Sequence, residues 1–458
     1  MEEILLLALL QRRCIKYGEL LLLITEILPA FPCRFFILQN LKGGKNVQKN
    51  ITLEQAQNQL LGLAKIMGDE QINIIDAVDR ILSIDIRASE NIPPFAKSAF
   101  DGYAFRAEDI ENASEDKPVR LKVLEEIPAG YAPSKKIVPG TTIKVMTGAP
   151  IPEGANAVTK YELVERIGEE IEVKFSCKSG DNIVMPGEDV KIGQKIIAEK
   201  TNITPPVVGI LASLGFEKVP VFKKPTVAII STGDELIEID EPLRPAKIRN
   251  SNQYSLYAYI KALGAEPISI GIAKDKIGEV QDYIEKGLEN ADIVITTGGV
   301  SVGDYDVLEE ALRLMGAEIL FHGIDIKPGS PTLAARINDK LVLCLSGNPA
   351  SAMVVFQVLA APLIQKMAGR RDYLLEKIEG ILVDDFPKDS PKRRLLRGAL
   401  LLENGNLSIK LTGDQRNAAL SSMIGCNIIA DVPAGSEPLN KGVKLNAYVV
   451  DKIEKFFY

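Results

Sequence analysis

The chain has 458 residues, 46% of them hydrophobic and 25% charged, with a formal net charge of −7. That length allows about three domains, the apolar share excludes wholesale disorder, and an acidic balance without a basic stripe demotes nucleic acid as a partner. One histidine, His322, makes a His-rich metal site impossible, and the five scattered cysteines (Cys14, Cys33, Cys177, Cys344, Cys426) give neither a zinc ribbon nor a disulfide framework and fit a reducing cytoplasm.

Residues 1–46 do not match the rest. Their apolar runs at 5–10 and 20–31 are short, and Glu26 and Pro29 break the second, so neither a membrane span nor a signal peptide is expected. Lys42-Gly43-Gly44-Lys45-Asn46-Val47 can be encoded by a purine-rich ribosome-binding sequence, a spacer and a GTG start. Residues 1–46 are therefore expected to be mistranslated upstream sequence, with Val47 as initiator; a natural extension is the alternative.

Thr52-Leu53-Glu54-Gln55 reads as a capping box opening a helix to about Met67. A second short helix is predicted over 74–82, and Pro93-Pro94 breaks the chain. Residues 95–185 hold short apolar stretches punctuated by Gly and Pro, which predicts β-structure. Residues 186–221 end in a helix near 205–214. From 224 strands and helices alternate: strand 226–232, helix 251–264 with Ser251 as N-cap, strand 266–272, helix 277–291, strand 292–297, helix 306–317, strand 341–346 and a long apolar helix from Pro349 to about Met367. That alternation predicts an α/β domain, a mostly parallel sheet with helices on both faces. Residues 375–458 return to short strands and turns, expected to form a small β-barrel or sandwich.

In an open parallel sheet, ligands bind beyond the carboxyl ends of the strands. Here those ends run into Ser231-Thr232-Gly233-Asp234-Glu235, Ala273-Lys274-Asp275, the glycine-rich 297–306 segment and Ser346-Gly347-Asn348-Pro349-Ala350-Ser351. Gly298, Gly299, Ser301 and Gly303 are expected to cradle phosphate through backbone N–H groups, with Lys327 as a nearby cation. Glu235, Asp275 and Asp306 bring carboxylates to the same edge, a pattern that points to a bridging Mg²⁺. Any one of these loops is as readily an ordinary turn; four on one edge tip the reading toward a ligand site. His322 follows an apolar strand at 318–321 without a carboxylate neighbour in sequence, so a structural role is expected.

Seven segments together resemble the MoeA family of molybdopterin molybdenumtransferases, related to the C-terminal part of gephyrin: FAKSAFDGYAFR (95–106), IKVMTGAPIPEGANAV (143–158), SGDNIVMPGEDV (179–190), VAIISTGDEL (227–236), IVITTGGVSVGDYD (293–306), IKPGSP (326–331) and LCLSGNPASA (343–352). The resemblance implies a multidomain α/β protein. An elongated domain comes from 50–92 plus 186–221, a β-rich domain (93–185) is inserted in it, a three-layer αβα domain spans 222–372, and a C-terminal β-barrel spans 373–458. It further implies a cytoplasmic homodimer, without membrane or nucleic-acid partners, that takes adenylylated molybdopterin and molybdate, releases AMP and places the metal on the dithiolene, with Mg²⁺ as cofactor. By motif position, Asp101 and Thr147 would act in catalysis from the partner subunit, alongside Glu235, Asp306 and Lys327. Asp189 matches an acidic substrate-binding position, and Arg397 and Ser422 in the barrel match oxyanion-binding positions, with Ser351 nearby; Asn348 is expected among the substrate-binding residues. Ser330 stands where the family has the second lysine of IKPGKP, Ser346 where it has a proline, Phe100 where a methionine is common, and 96–97 read Ala-Lys instead of Asp-Asn. Losing the cation at 330 implies about 1.5–3 kcal/mol weaker oxyanion binding. The alternatives are a non-catalytic gephyrin-like scaffold, a tungstate-selective paralogue and a nucleotide-cleaving enzyme of the wider superfamily, against which 95–106 and 143–158 count.

Overall fold

The computed structural model describes residues 48–300, 307–403 and 405–451. The expectations for residues 1–46, the Val47 start, Ser301, Gly303 and Asp306 lie outside the described residues.

The organising element is a seven-stranded sheet with the order Gln48–Ile51, Glu318–Ile324, Leu333–Ile337, Lys340–Leu345, Ile293–Thr297, Thr226–Thr232, Glu266–Ala273. Its neighbours pair in parallel except around Leu333–Ile337, which runs antiparallel to the strands on both sides. The alternation of side chains along each strand sends its apolar residues to two separate cores. Val227, Ile229, Ile295 and Leu343 join one, while Ala228, Ile230, Val294 and Val342 join the other. Helices 251–262 and 349–367 cover the first core, and helices 277–290 and 307–314 cover the second, completing three layers. Helix Pro349–Met367 has the length and apolar character to cross a membrane, yet 89% of its apolar window is buried inside the protein. Its middle, Phe356–Ala360, is π-helical and wholly buried.

Several sequence expectations need correcting. Helix Leu53–Leu63 opens on the expected capping box but ends four residues earlier than expected. Its buried face, Leu53, Ala56 and Leu60, packs in the αβα core, and the preceding Gln48–Ile51 pairs with Glu318–Ile324. Residues 48–63 thus complete the αβα domain, and the elongated segment starts near Asp69, not at 50. The expected helix over 74–82 is one 3₁₀ turn, Ile74–Ala77. Asn250 rather than Ser251 caps helix 251–262, its side chain accepting the Gln253 N–H.

Residues 69–92 and 190–221 interleave. Asp69–Asn73 pairs with Lys218–Phe222 and Ile86–Arg87 with Lys195–Ile197, around a shared core that includes Leu82, Ile203, Leu211 and Val221. Between them, a six-stranded sheet buries Phe105 and Leu121 on one face and Ile143 and Val158 on the other. At the C-terminal end, strands 377–382, 393–403, 406–411, 428–432 and 444–449 close into a barrel through pairing of Arg394–Gly398 with Ile428–Val432. The barrel docks on the αβα domain where Ile326–Lys327 pairs in parallel with Arg393–Arg394. Arg393 clamps this seam, donating to both Asp431 oxygens at 2.7 and 2.6 Å, to Glu54 at 2.7 Å and to the Tyr448 hydroxyl at 2.9 Å.

Candidate active site

The ends of the parallel strands are knitted together. Gly298 (φ +89°) and Gly299 (φ +66°) lie so close to Thr232 that a Cβ would sit 2.1 Å from its carbonyl oxygen or 2.7 Å from its hydroxyl, respectively. Only glycine tolerates both that backbone conformation and that approach. A Cβ on Gly347 would lie 3.3 Å from the Gly298 Cα, and the Gly298 N–H donates to the Leu345 carbonyl at 3.1 Å. On the other side, the Gly233 N–H donates to the Ala273 carbonyl at 3.1 Å, and the Asp234 N–H reaches Asp275 Oδ2 at 3.3 Å. Glu235 folds back so that its carboxylate lies against Gly233. The four expected loops therefore meet on one edge.

Beneath them lies a buried polar layer that the sequence reading missed. Ser231 donates to Asn250 Oδ1 at 2.9 Å and lies 3.3 Å from the Thr297 hydroxyl; Asn250 donates in turn to Gln253 at 3.1 Å. Asn252 holds the Gly347 carbonyl at 2.9 Å. The available signal was the run Asn250-Ser251-Asn252-Gln253 at a helix start, where capping side chains concentrate.

Next to Gly347, a cleft of about 190 Å³ opens between the αβα domain and the barrel. Lys327, Ser330, Ser346, Asn348 and Ser351 line one side; Lys392 and Asn417 come from the barrel. Among the described residues, no acidic side chain lines it. The Ser351 N–H donates to the Asn417 carbonyl at 3.2 Å, tying helix 349–355 to the loop that carries Arg416. Arg397 is fully buried beside that loop, donating to Ser422 Oγ at 2.8 Å and to the Asp414 and Arg416 carbonyls at 2.8 and 3.2 Å. Burial pulls its guanidinium below the usual arginine range. Its second terminal nitrogen and the Ser351 hydroxyl are buried without a hydrogen-bond partner among the described residues. Both departures, Ser330 and Ser346, sit in this cleft, and neither hydroxyl is idle: Ser330 donates to the Ile324 carbonyl at 3.1 Å, and Ser346 accepts the Asn348 N–H at 3.3 Å.

Asp101 and Thr147 form a separate site on the inserted domain. The Thr147 hydroxyl donates to Asp101 Oδ1 at 2.7 Å and its N–H at 2.6 Å. These bonds, the hydroxyl's first, hold the carboxyl below the ordinary aspartate range. Asp189 is exposed on a turn whose N–H donates to the Ile92 carbonyl at 3.0 Å. Among the described residues, no hydrogen bond, ion pair or cleft joins Asp101, Thr147 or Asp189 to the αβα edge. His322 sits inside a strand with Nδ1 2.6 Å from Glu309 Oε2, so it does have a carboxylate neighbour, one supplied by the helix over the sheet.

Glu235 and Asp275 flank Asp234 at the cradle edge and are exposed. Among the described residues, no group of three metal-ligating side chains forms. Asp306, the third expected carboxylate, lies outside the described residues. Two hard oxygen donors fit an ion such as Mg²⁺ that takes its remaining ligands from water and phosphate.

Comparison with known proteins matches three consecutive regions: the MoeA N-terminal region (domain I and II) over 51–215, a probable molybdopterin binding domain over 228–366, and the MoeA C-terminal region (domain IV) over 379–450. The chain is 35% identical to a molybdopterin molybdenumtransferase of Bacillus subtilis over 396 residues, covering 86% of this chain and 92% of the relative. It is 32% identical to one from Staphylococcus aureus over 392 residues, covering 86% and 94%. A crystal structure of the molybdopterin biosynthesis MoeA protein from Pyrococcus horikosii superposes with a TM-score of 0.79 at 31% identity, covering 88% of this chain and all of that one.

Proposed function

Because this chain belongs to the MoeA family, we propose that it is a molybdopterin molybdenumtransferase acting in molybdenum cofactor biosynthesis. It takes adenylylated molybdopterin and molybdate, cleaves the phosphoanhydride with release of AMP, and leaves the metal on the dithiolene. The observation that carries this reading is adjacency. The glycine-rich strand ends, where the Gly298 and Gly233 N–H groups are spent on the Leu345 and Ala273 carbonyls, run directly through Gly347 and Asn348 into a cleft that holds Lys327 and, among the described residues, no acidic side chain. Phosphoryl cleavage is largely a matter of positioning and charge stabilisation. The Gly298 N–H expected to cradle phosphate is instead committed to the Leu345 carbonyl, so the Gly298–Gly299 turn shapes the edge where the phosphates would lie, Lys327 offsets oxyanion charge, and the buried Arg397–Ser422 pair backs the cleft. The unpartnered Arg397 nitrogen and Ser351 hydroxyl are costly as they stand, about 1–3 kcal/mol each, and an oxyanion that reached them would satisfy both. Glu235 and Asp275 would hold Mg²⁺, which supplies charge neutralisation on the phosphates.

Asp101 and Thr147 act from a partner subunit in this reading, and Asp189 contributes to substrate binding. Ile75, Val78, Ile84 and Ile192 project from the elongated segment with 78%, 44%, 48% and 65% exposure, which supports a homodimer interface there. Cys177 and Cys426 are free thiols, in keeping with a cytoplasmic location. The relatives above are transferases by name, which leaves the scaffold alternative without support.

The test is direct. The full chain, incubated with adenylylated molybdopterin, Mg²⁺ and molybdate, releases AMP in a molybdate-dependent way. Substrate left intact with molybdate present would refute the proposal.

A further inference from the structure

We propose that Lys392, on the barrel, is the second cation of the oxyanion cleft, acting across it from Lys327; this rests on the transferase reading above. The register of the domain seam sets the position. Ile326 pairs with Arg393 and Lys327 with Arg394, so the residue just before the barrel strand falls beside the 325–331 loop. Lys392 accordingly lines the same cleft as Lys327, Ser330, Ser351 and Asn417.

The other polar groups leave the role open to it. The Ser330 hydroxyl is committed to the Ile324 carbonyl, and among the described residues no carboxylate lines the cleft. Among the described residues, the anionic partner of Lys392 is Asp325 Oδ1 at 3.1 Å, and both side chains are about half exposed (46% and 49%). An exposed pair of this kind is weak, so a doubly charged tetrahedral oxyanion displaces Asp325 at little cost. Position 330 carries no charge in this chain, and a lysine reaching the same space from the opposite domain compensates for it. Because the two cations belong to different domains, the ligand bridges the seam.

The experiment is calorimetric titration of the full chain with sodium molybdate, paired with the molybdate dependence of AMP release. Lys392→Gln is expected to weaken molybdate binding about tenfold, the loss of one partly exposed charge-assisted contact, and to raise KM for molybdate with kcat nearly unchanged. Asp325→Asn breaks the same ion pair but keeps the cation, and binding is kept or tightened. Ser330→Lys placed in the Lys392→Gln background restores affinity, which a purely structural role would not do. Lys392→Gln binding like wild type overturns the proposal, and so does an equal loss in Asp325→Asn. Wild-type chain that neither binds molybdate nor releases AMP sinks the transferase reading as well, whereas wild-type turnover with an indifferent Lys392 sinks only this inference.

Discussion

Gly298→Ala probes the packing that shapes the cradle. The added Cβ would lie 2.1 Å from the Thr232 carbonyl oxygen, whereas ordinary contact begins at 3.4 Å, so loop and strand end must separate by about 1.3 Å. That movement pulls the Gly298 N–H off the Leu345 carbonyl, now at 3.1 Å, at about 1 kcal/mol. A side chain at φ +89° adds roughly 1–2 kcal/mol. The expected loss is about 2–3 kcal/mol, or roughly 4–12 °C in the melting transition of the αβα domain. Displacing a phosphate-orienting loop by more than 1 Å is expected to lower kcat for AMP release about 100-fold. Gly130→Ala is the matched control: its φ is +88° and nothing lies within 4 Å of the added carbon. It should show the backbone cost alone and full activity. Should Gly298→Ala melt no lower than Gly130→Ala and turn over like wild type, tight packing of the loops is not what forms the site.

Thr147→Val removes the stronger of the two forces holding the Asp101 carboxyl low. Its titration, followed by carbon NMR, is expected to move up toward the ordinary value of about 3.9. In the unaltered protein this lowered carboxylate contributes stability at neutral pH that fades as pH falls through its folded value, below about 3.9; a titration midpoint unmoved by the substitution would contradict the assignment. Arg393→Met leaves Asp431, whose side chain is 16% exposed, without its bidentate partner. The barrel is expected to lose roughly 3 kcal/mol, in line with uncompensated part-buried charges, read as an earlier denaturant midpoint for residues 377–449.

What could be read from the sequence follows from how local each signal is. The strands at 226–232, 293–297 and 340–345 announce themselves as short apolar runs because both faces are buried, and the glycine loops follow them directly. Strand Glu318–Ile324 was legible only in its apolar start, up to Phe321, and Leu333–Ile337 not at all: His322, Gly323 and Arg336 interrupt the apolar pattern, and the two strands pair antiparallel in an otherwise parallel sheet. Helix 53–63 was recognised by its cap, but nothing local says which core it joins; that depends on Phe356 and its neighbours some 300 residues away. The same distance hid Lys392 and Asn417, which reach the cleft only because the barrel docks beside Ile326. Arg397 and Ser422 were placed by motif position alone; their direct contact is a product of barrel closure.

The inserted β-domain leaves and rejoins its host at nearly one point. The Ile92 N–H donates to the Val190 carbonyl at 2.8 Å, and the Gly187 N–H to the Pro93 carbonyl at 3.0 Å. A folded unit whose ends already touch can be spliced into a surface turn without stretching the host. It follows that residues 94–186 form a detachable cassette. A short bridging turn in their place would leave the stem intact while stripping away Asp101 and Thr147, so shape and chemistry can be dissected with a single deletion.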